Sequence, residues 1–149
     1  MVDMLMTNNK GYYDFEIKNG EIVKTNGFET SIILSLLTDR RASSGEVPPI
    51  ELRRGWWGNI ILRSLNNQQE LELGSKIWLT YQERNDETTR NFIRNYINEA
   101  LIWLVEYGYV KSIVSEITKI EERKVGVKIT IVFDNNLRLE SIFEFNLSP

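Results

Sequence analysis

The chain has 149 residues, 42% of them hydrophobic and 26% charged, with 18 Lys and Arg set against 21 Asp and Glu for a net charge of −3. That is the length of one globular domain, enough to bury about two-thirds of the surface that the unfolded chain exposes. Neither Cys nor His occurs, which excludes disulfides, Cys/His zinc sites, a Cys nucleophile and a Ser-His-Asp triad, and leaves carboxylates, Lys, Tyr or an oxygen-ligated metal for any catalysis.

Charge and hydropathy narrow the class further. General nucleic-acid binders need a concentrated basic surface to displace counterions, and here the basic excess is local: residues 39–63 carry five Arg against Asp39, Glu46 and Glu51. Apolar runs such as Ile32-Ile33-Leu34 are too short to span a bilayer, and the N-terminus lacks the pattern of a signal peptide, so a soluble protein made inside the cell is expected. Absence of cysteine fits a reducing compartment.

Residues 1–10 read as a weakly patterned, flexible tail. From Tyr12 to Lys24, Tyr13, Phe15 and Ile17 alternate up to Asn19-Gly20, the pair that a two-residue type I′ turn favours, so a β-hairpin is expected. Asn26 with Glu29 three residues on resembles a capping box. The helix that follows places Phe28, Ile32, Ile33, Leu36 and Leu37 on one stripe, and Arg40 and Arg41 are expected to close it as complements of its dipole. Residues 42–55 read as a long loop, broken by Ser43-Ser44-Gly45 and Pro48-Pro49, that ends in the hexapeptide Arg53-Arg54-Gly55-Trp56-Trp57-Gly58. Ser75 is expected to cap a short helix carrying Ile77, Trp78 and Tyr81.

From about Asp86 to Tyr107, Phe92, Ile93, Tyr96, Ile97, Ala100, Leu101, Leu104 and Val105 recur at helical spacing. Gly108 is placed as a left-handed C′ residue, with Tyr109 completing a Schellman arrangement. The last forty residues change to period two. Val110–Ile120 is the weaker strand, Val125, Val127, Ile129, Ile131 and Phe133 point one way with Gly126, Lys128, Thr130 and Asp134 opposite, and an Asn135-Asn136 turn leads into Leu137, Leu139, Ser141, Phe143 and Phe145. A three-stranded antiparallel meander packed on helices follows, and with it an α+β fold.

In this order Asp14-Phe15 with Asn19-Gly20, Gly27-Phe28-Glu29-Thr30, Leu36-Leu37-Thr38-Asp39-Arg40-Arg41-Ala42, the hexapeptide 53–58, Gly74-Ser75-Lys76-Ile77-Trp78-Leu79 and Glu99-Ala100-Leu101-Ile102-Trp103-Leu104 before Gly108 resemble the Mu-type phage tail proteins of the contractile-tail baseplate wedge. That family is similar to the T-even wedge subunit once labelled a tail lysozyme. Asn59 stands where the family usually shows Asp, and Lys76 where it shows Arg. The resemblance implies a single wedge-like α+β domain over residues 11–149 and a structural subunit of the virion tail, assembled in the host cytoplasm. It further implies a hetero-oligomer with other wedge proteins, reaching sheath and tube proteins and helping to start sheath assembly.

Each conspicuous residue also has a plainer role. Of Trp56 and Trp57, one ring suits a core plug with the other under Arg53 or Arg54, or an interface anchor, since Trp and Arg dominate hot spots; the flanking charge is too modest for base stacking. Arg40, Arg41, Arg53 and Arg54 suit either solvated charge or a grip on a partner's carboxylate, or anchoring of the 42–58 loop. Gly55, Gly58, Gly74 and Gly108 are expected to be required by the backbone. A lysozyme-like enzyme needs two carboxylates about 5–10 Å apart with one kept protonated, and Glu29, Asp39 and Glu83 are candidates only by lying near apolar residues. The expectation is an assembly protein with no enzyme activity, cofactor, metal, small-molecule substrate, membrane or nucleic acid. A peptidoglycan-cleaving enzyme and a nucleic-acid module using the 40–63 Arg cluster are the alternatives. A meander leaves an edge strand open to main-chain pairing, and Leu137–Phe145 is the edge expected to receive a partner.

Overall fold

A computed structural model describes residues 3–9, 12–25, 28–46, 53–65 and 72–147. Strands β1 (Asp3–Met4), β2 (Met6–Asn9), β3 (Tyr12–Phe15), β4 (Ile17–Lys18), β5 (Glu21–Ile22) and β6 (Lys24–Thr25) form antiparallel pairs β1–β6, β2–β3 and β4–β5. Two of these strands fall within residues 1–10. The hairpin turns where expected: Asn19 and Gly20 both take positive φ, 53° and 82°, between the pairs Lys18–Glu21 and Ile17–Ile22, as a type I′ turn demands. The Met6 amide donates to Thr30 Oγ1 at 3.2 Å and so ties this ribbon to the first helix.

Helix α1 (Glu29–Leu37) buries Ile32, Ile33 and Leu36. Two expectations about its ends are corrected. Phe28, not Asn26, precedes its first turn, and its side chain makes no capping bond; Asn26 itself lies outside the described residues. The helix stops at Leu37, because the Thr38 amide and hydroxyl both turn back to Leu34 O, so Arg40 and Arg41 lie beyond the helix in extended chain rather than in its last turn.

Helix α2 (Gly58–Leu65) lies where sequence periodicity gave no element. Residues Ile77–Thr80 make a 3-10 turn in place of the short helix. Ser75 does not cap it; its hydroxyl donates to Leu36 O at 2.7 Å.

Helix α3 (Glu87–Glu106) begins at Asp86, whose carboxylate accepts from the Thr89 amide at 2.8 Å. It ends in a Schellman motif: Tyr109 N–H reaches Leu104 O at 2.9 Å and Gly108 N–H reaches Val105 O at 3.0 Å, with Gly108 at φ 72°. Strands β7 (Ser112–Ile120), β8 (Lys124–Val132) and β9 (Arg138–Asn146) form an antiparallel sheet in that order, which leaves β9 at an edge.

Ile93, Ile97, Ala100, Leu101 and Leu104 of α3 close over Val125, Val127, Ile129, Ile131, Phe143 and Phe145 of the sheet, with α1 and Ile77 at the side. Three details depart from strict alternation. Gly126 is buried, because β7 bulges between Ile117 and Lys119 and a Cβ at 126 would stand 2.8 Å from Lys119 Cβ. The turn into β9 is longer than two residues, with Phe133 N–H bonded to Leu137 O and Asn136 at φ 62°. Leu137 consequently sits on the turn and is exposed.

Ile97 is fully buried midway along α3. Ile97→Ala is expected to lower the unfolding free energy by about 2–5 kcal/mol, the transfer and cavity cost of such a truncation, read as a shift in urea midpoint at constant slope.

Candidate docking surface

After α1 the chain runs extended through residues 38–42, gripped from both sides. The Ser75 amide donates to Thr38 O at 2.9 Å and the Arg40 amide to Ser75 O at 2.8 Å, a short parallel bridge between Asp39 and Ser75. On the far side Ala42 N–H donates to Arg53 O at 2.9 Å, and the Trp78 indole N–H donates to Arg40 O at 2.8 Å. Burial of these backbone groups is tolerable only because each is paired. Gly74 makes the approach possible: its φ is 118°, and a Cβ there would stand 2.9 Å from both Thr38 O and Arg40 N.

The charged side chains separate into two sets. Asp39 pairs with Arg54 at 3.4 Å, and the Arg54 guanidinium lies 5.0 Å from the centre of the Trp78 ring. The cation–π contact expected at Trp56 or Trp57 is therefore made on Trp78 instead. Arg40 reaches Glu72 at 3.4 Å and Glu99 of α3 at 3.5 Å. Lys76, only 9% exposed, pairs with Glu46 at 3.0 Å and Glu99 at 3.2 Å. Burial works against its charge, but hydrogen bonds and charge from Glu46 and Glu99 outweigh it and hold the ammonium above its ordinary pKa. Burial likewise pushes the Glu46 carboxyl up, while the Ser43 amide and Lys76 bring it below its ordinary value. Arg41 and Arg53 enter no ion pair among the described residues.

Arg54 and Gly55 both take positive φ, 42° and 128°, turning the chain sharply so that Gly55 lies against the Arg41 side chain. Trp56 is half-buried and its ring covers Gly58 so closely that a Cβ at 58 would stand 2.3 Å from it. Trp57, its ring 5.7 Å from Trp56, is 70% exposed. The buried side chain of Asn59 fastens the start of α2: its Nδ2 donates to Leu73 O at 2.9 Å and its Oδ1 accepts from Leu73 N–H at 3.0 Å. Sequence reasoning noted Asn59 and Lys76 only as departures from a family pattern. An amide that both donates and accepts beside an uncovered backbone segment was the available signal, but the segment it meets is fourteen residues away.

The structure thus brings Arg40, Arg41, Arg53, Arg54, Gly55 and Gly74 together around one extended segment, with Trp56 over Gly58 and the exposed Trp57 just beyond it. Gly108 stands apart at the end of α3. The candidate acids do not converge as a catalytic pair: Glu29 opens α1, a helix about 13 Å long at its rise per residue, Asp39 lies two residues past its far end, and Asp39 is engaged by Arg54. Glu83 is exposed beyond the 3-10 turn.

Gly74→Ala is expected to cost about 3 kcal/mol, through a disallowed φ and a backbone collision. Differential scanning calorimetry should show the drop in Tm, whereas Gly45→Ala, with φ 104° but a Cβ that meets no atom within 4 Å, should keep the φ strain and lose only the collision, and so cost less.

A family model described as Phage protein GP46 matches residues 28–137, from the start of α1 through β8. The Baseplate protein gp46 of Escherichia phage Mu is 30% identical over 115 residues, covering 76% of this chain and 74% of its own. The Mu-like prophage FluMu protein gp46 of Haemophilus influenzae is 29% identical over 113 residues, covering 76% and 73%. The matched span contains the gripped segment, both flanking Arg pairs, the Trp pair and the long helix: the chain belongs to the Phage protein GP46 family.

Proposed function

We propose that the protein is a structural subunit of a contractile phage tail baseplate, placed in the wedge, where it binds neighbouring wedge proteins, meets sheath and tube proteins, and helps to start sheath assembly without chemistry of its own. The observation that carries the reading is Trp57: an indole 70% exposed at the end of a segment held by backbone bonds, a buried amide and ion pairs. A large aromatic ring on a fixed support loses little entropy on contact, which is what interface anchors need. The name of the phage Mu relative, a baseplate protein, agrees with it. The edge of β9 (Arg138–Asn146), which pairs with no further strand among the described residues, offers a second, main-chain route to a neighbour.

A peptidoglycan-cleaving role draws no support from the acids. A glycosidase needs two carboxyls facing one another across the scissile bond, whereas Glu29 opens α1 and Asp39 lies past its far end, paired with Arg54.

Tails produced with and without the chain test the proposal. Wild-type protein is expected in purified tails, and its omission should leave tubes without sheath. Trp57→Ala should lower incorporation by about tenfold or more while the isolated protein keeps its stability within about 0.5 kcal/mol, the usual range for an exposed site. Wild-type protein missing from finished tails would overturn the reading.

A further inference from the structure

Helix α2 is fixed on one side and open on the other. Gly58 and Asn59 are buried, whereas Ile60 is 73% exposed and Ile61 49%. Trp57 precedes the helix but accepts from the Ile60 amide at 3.2 Å, so the three stand at i, i+3 and i+4 of one continuous turn and share a stripe. An indole and two isoleucines therefore face outward together, on a helix that the Asn59–Leu73 bonds keep from rolling its apolar side inward. Single exposed apolar residues are ordinary, but a contiguous set that no element among the described residues covers marks a contact surface. Two arginines adjoin the chain that leads into it. Arg41 packs against Gly55, Arg53 is bonded through its backbone to Ala42, and neither guanidinium is in an ion pair among the described residues, whereas Arg40 and Arg54 are.

We propose that the Trp57–Ile60–Ile61 stripe of α2 docks onto another tail protein whose matching surface is apolar and edged with Asp or Glu carboxylates that meet Arg41 and Arg53. This rests on the baseplate reading and adds the chemistry of the partner. Guanidinium forks bind carboxylates in bidentate fashion, and such pairs set register around an apolar centre. Charge also selects against a second copy of this chain. A two-fold contact is made by the same patch on both subunits, so it would bring one pair of these arginines against another.

The full chain, purified and in tails made from its own phage's genes, provides the test. Ile60→Asp is expected to leave Tm within about 2 °C, as exposed substitutions do, and to lower the amount of chain in purified tails by about tenfold or more. Arg41→Glu combined with Arg53→Glu should lower it in the same way, while Ile120→Asp, at the exposed end of β7, should not. Equal incorporation of Ile60→Asp and wild type overturns this proposal alone; wild-type chain absent from tails overturns the baseplate reading with it. A purified dimer that Ile60→Asp converts to monomer, or flotation with phosphatidylcholine–phosphatidylglycerol vesicles that Ile60→Asp abolishes, would assign the stripe to self-association or to lipid and overturn the proposal. Should Ile60→Asp unfold, Ile60→benzoylphenylalanine decides by photo-crosslinking in tails. A crosslink to an apolar segment bearing Asp or Glu in another tail protein supports docking, and one to this chain or to a Lys/Arg-rich segment overturns it.

Discussion

Residues 38–42 leave α1 without a sheet to join, and the backbone of residues 74–75 takes the place of one. Three backbone bonds hold that segment, from Ser75 to Thr38, from Arg40 to Ser75 and from Ala42 to Arg53, and the Trp78 indole closes the Arg40 carbonyl. An unpaired buried amide or carbonyl costs about 1–3 kcal/mol, so these bonds stand or fall together. Each also fixes a direction. Once Asp39 and Arg40 are held, their side chains face Arg54, Glu72 and Glu99, the Arg54-Gly55 turn is set, and the Trp pair and α2 follow from it. The apolar core between α3 and the sheet makes the platform; the grip on 38–42 decides what the platform displays.

Ion pairs complete that arrangement more than they create it. Glu99 receives both Arg40 and Lys76, so one carboxylate on α3 ties the extended segment and the approach to the 3-10 turn to the long helix. The cost of burying the Lys76 charge is offset by its two partners, Glu46 and Glu99. Arg41 and Arg53, by contrast, hold no acidic partner among the described residues. Among the described residues, paired and unpaired cations therefore alternate residue by residue along the same stretch of chain.

Local patterns were legible where local physics decides. Asn19-Gly20 gave its turn, Gly108 with Tyr109 gave the end of α3, and the change to period two gave the meander, since each depends on neighbours a few residues away. What resisted reading depends on residues far along the chain. Arg40 and Arg41 look like the end of a helix until Ser75, thirty-five residues beyond Arg40, supplies another backbone to pair with. Asn59 looks like an ordinary loop amide until Leu73 is beside it. Helix α2 is short and begins at a glycine, and its Ile60 and Ile61 face outward, so they did not read as the core-facing stripe of a helix. The Arg-Trp contact was anticipated in kind but was placed on Trp56 or Trp57, because Trp78 reaches Arg54 only after the 3-10 turn has folded against the extended segment.

A rigid support carrying Trp57 is the central claim, and native-state hydrogen exchange addresses it most directly. The amides of Arg40, Ala42 and Ser75 should exchange only through global unfolding, with the same free energy as those of Ile97 and Val127 in the core. Exchange of those three amides through local opening, several kcal/mol below the core value, would show that the segment is not held and would contradict the account.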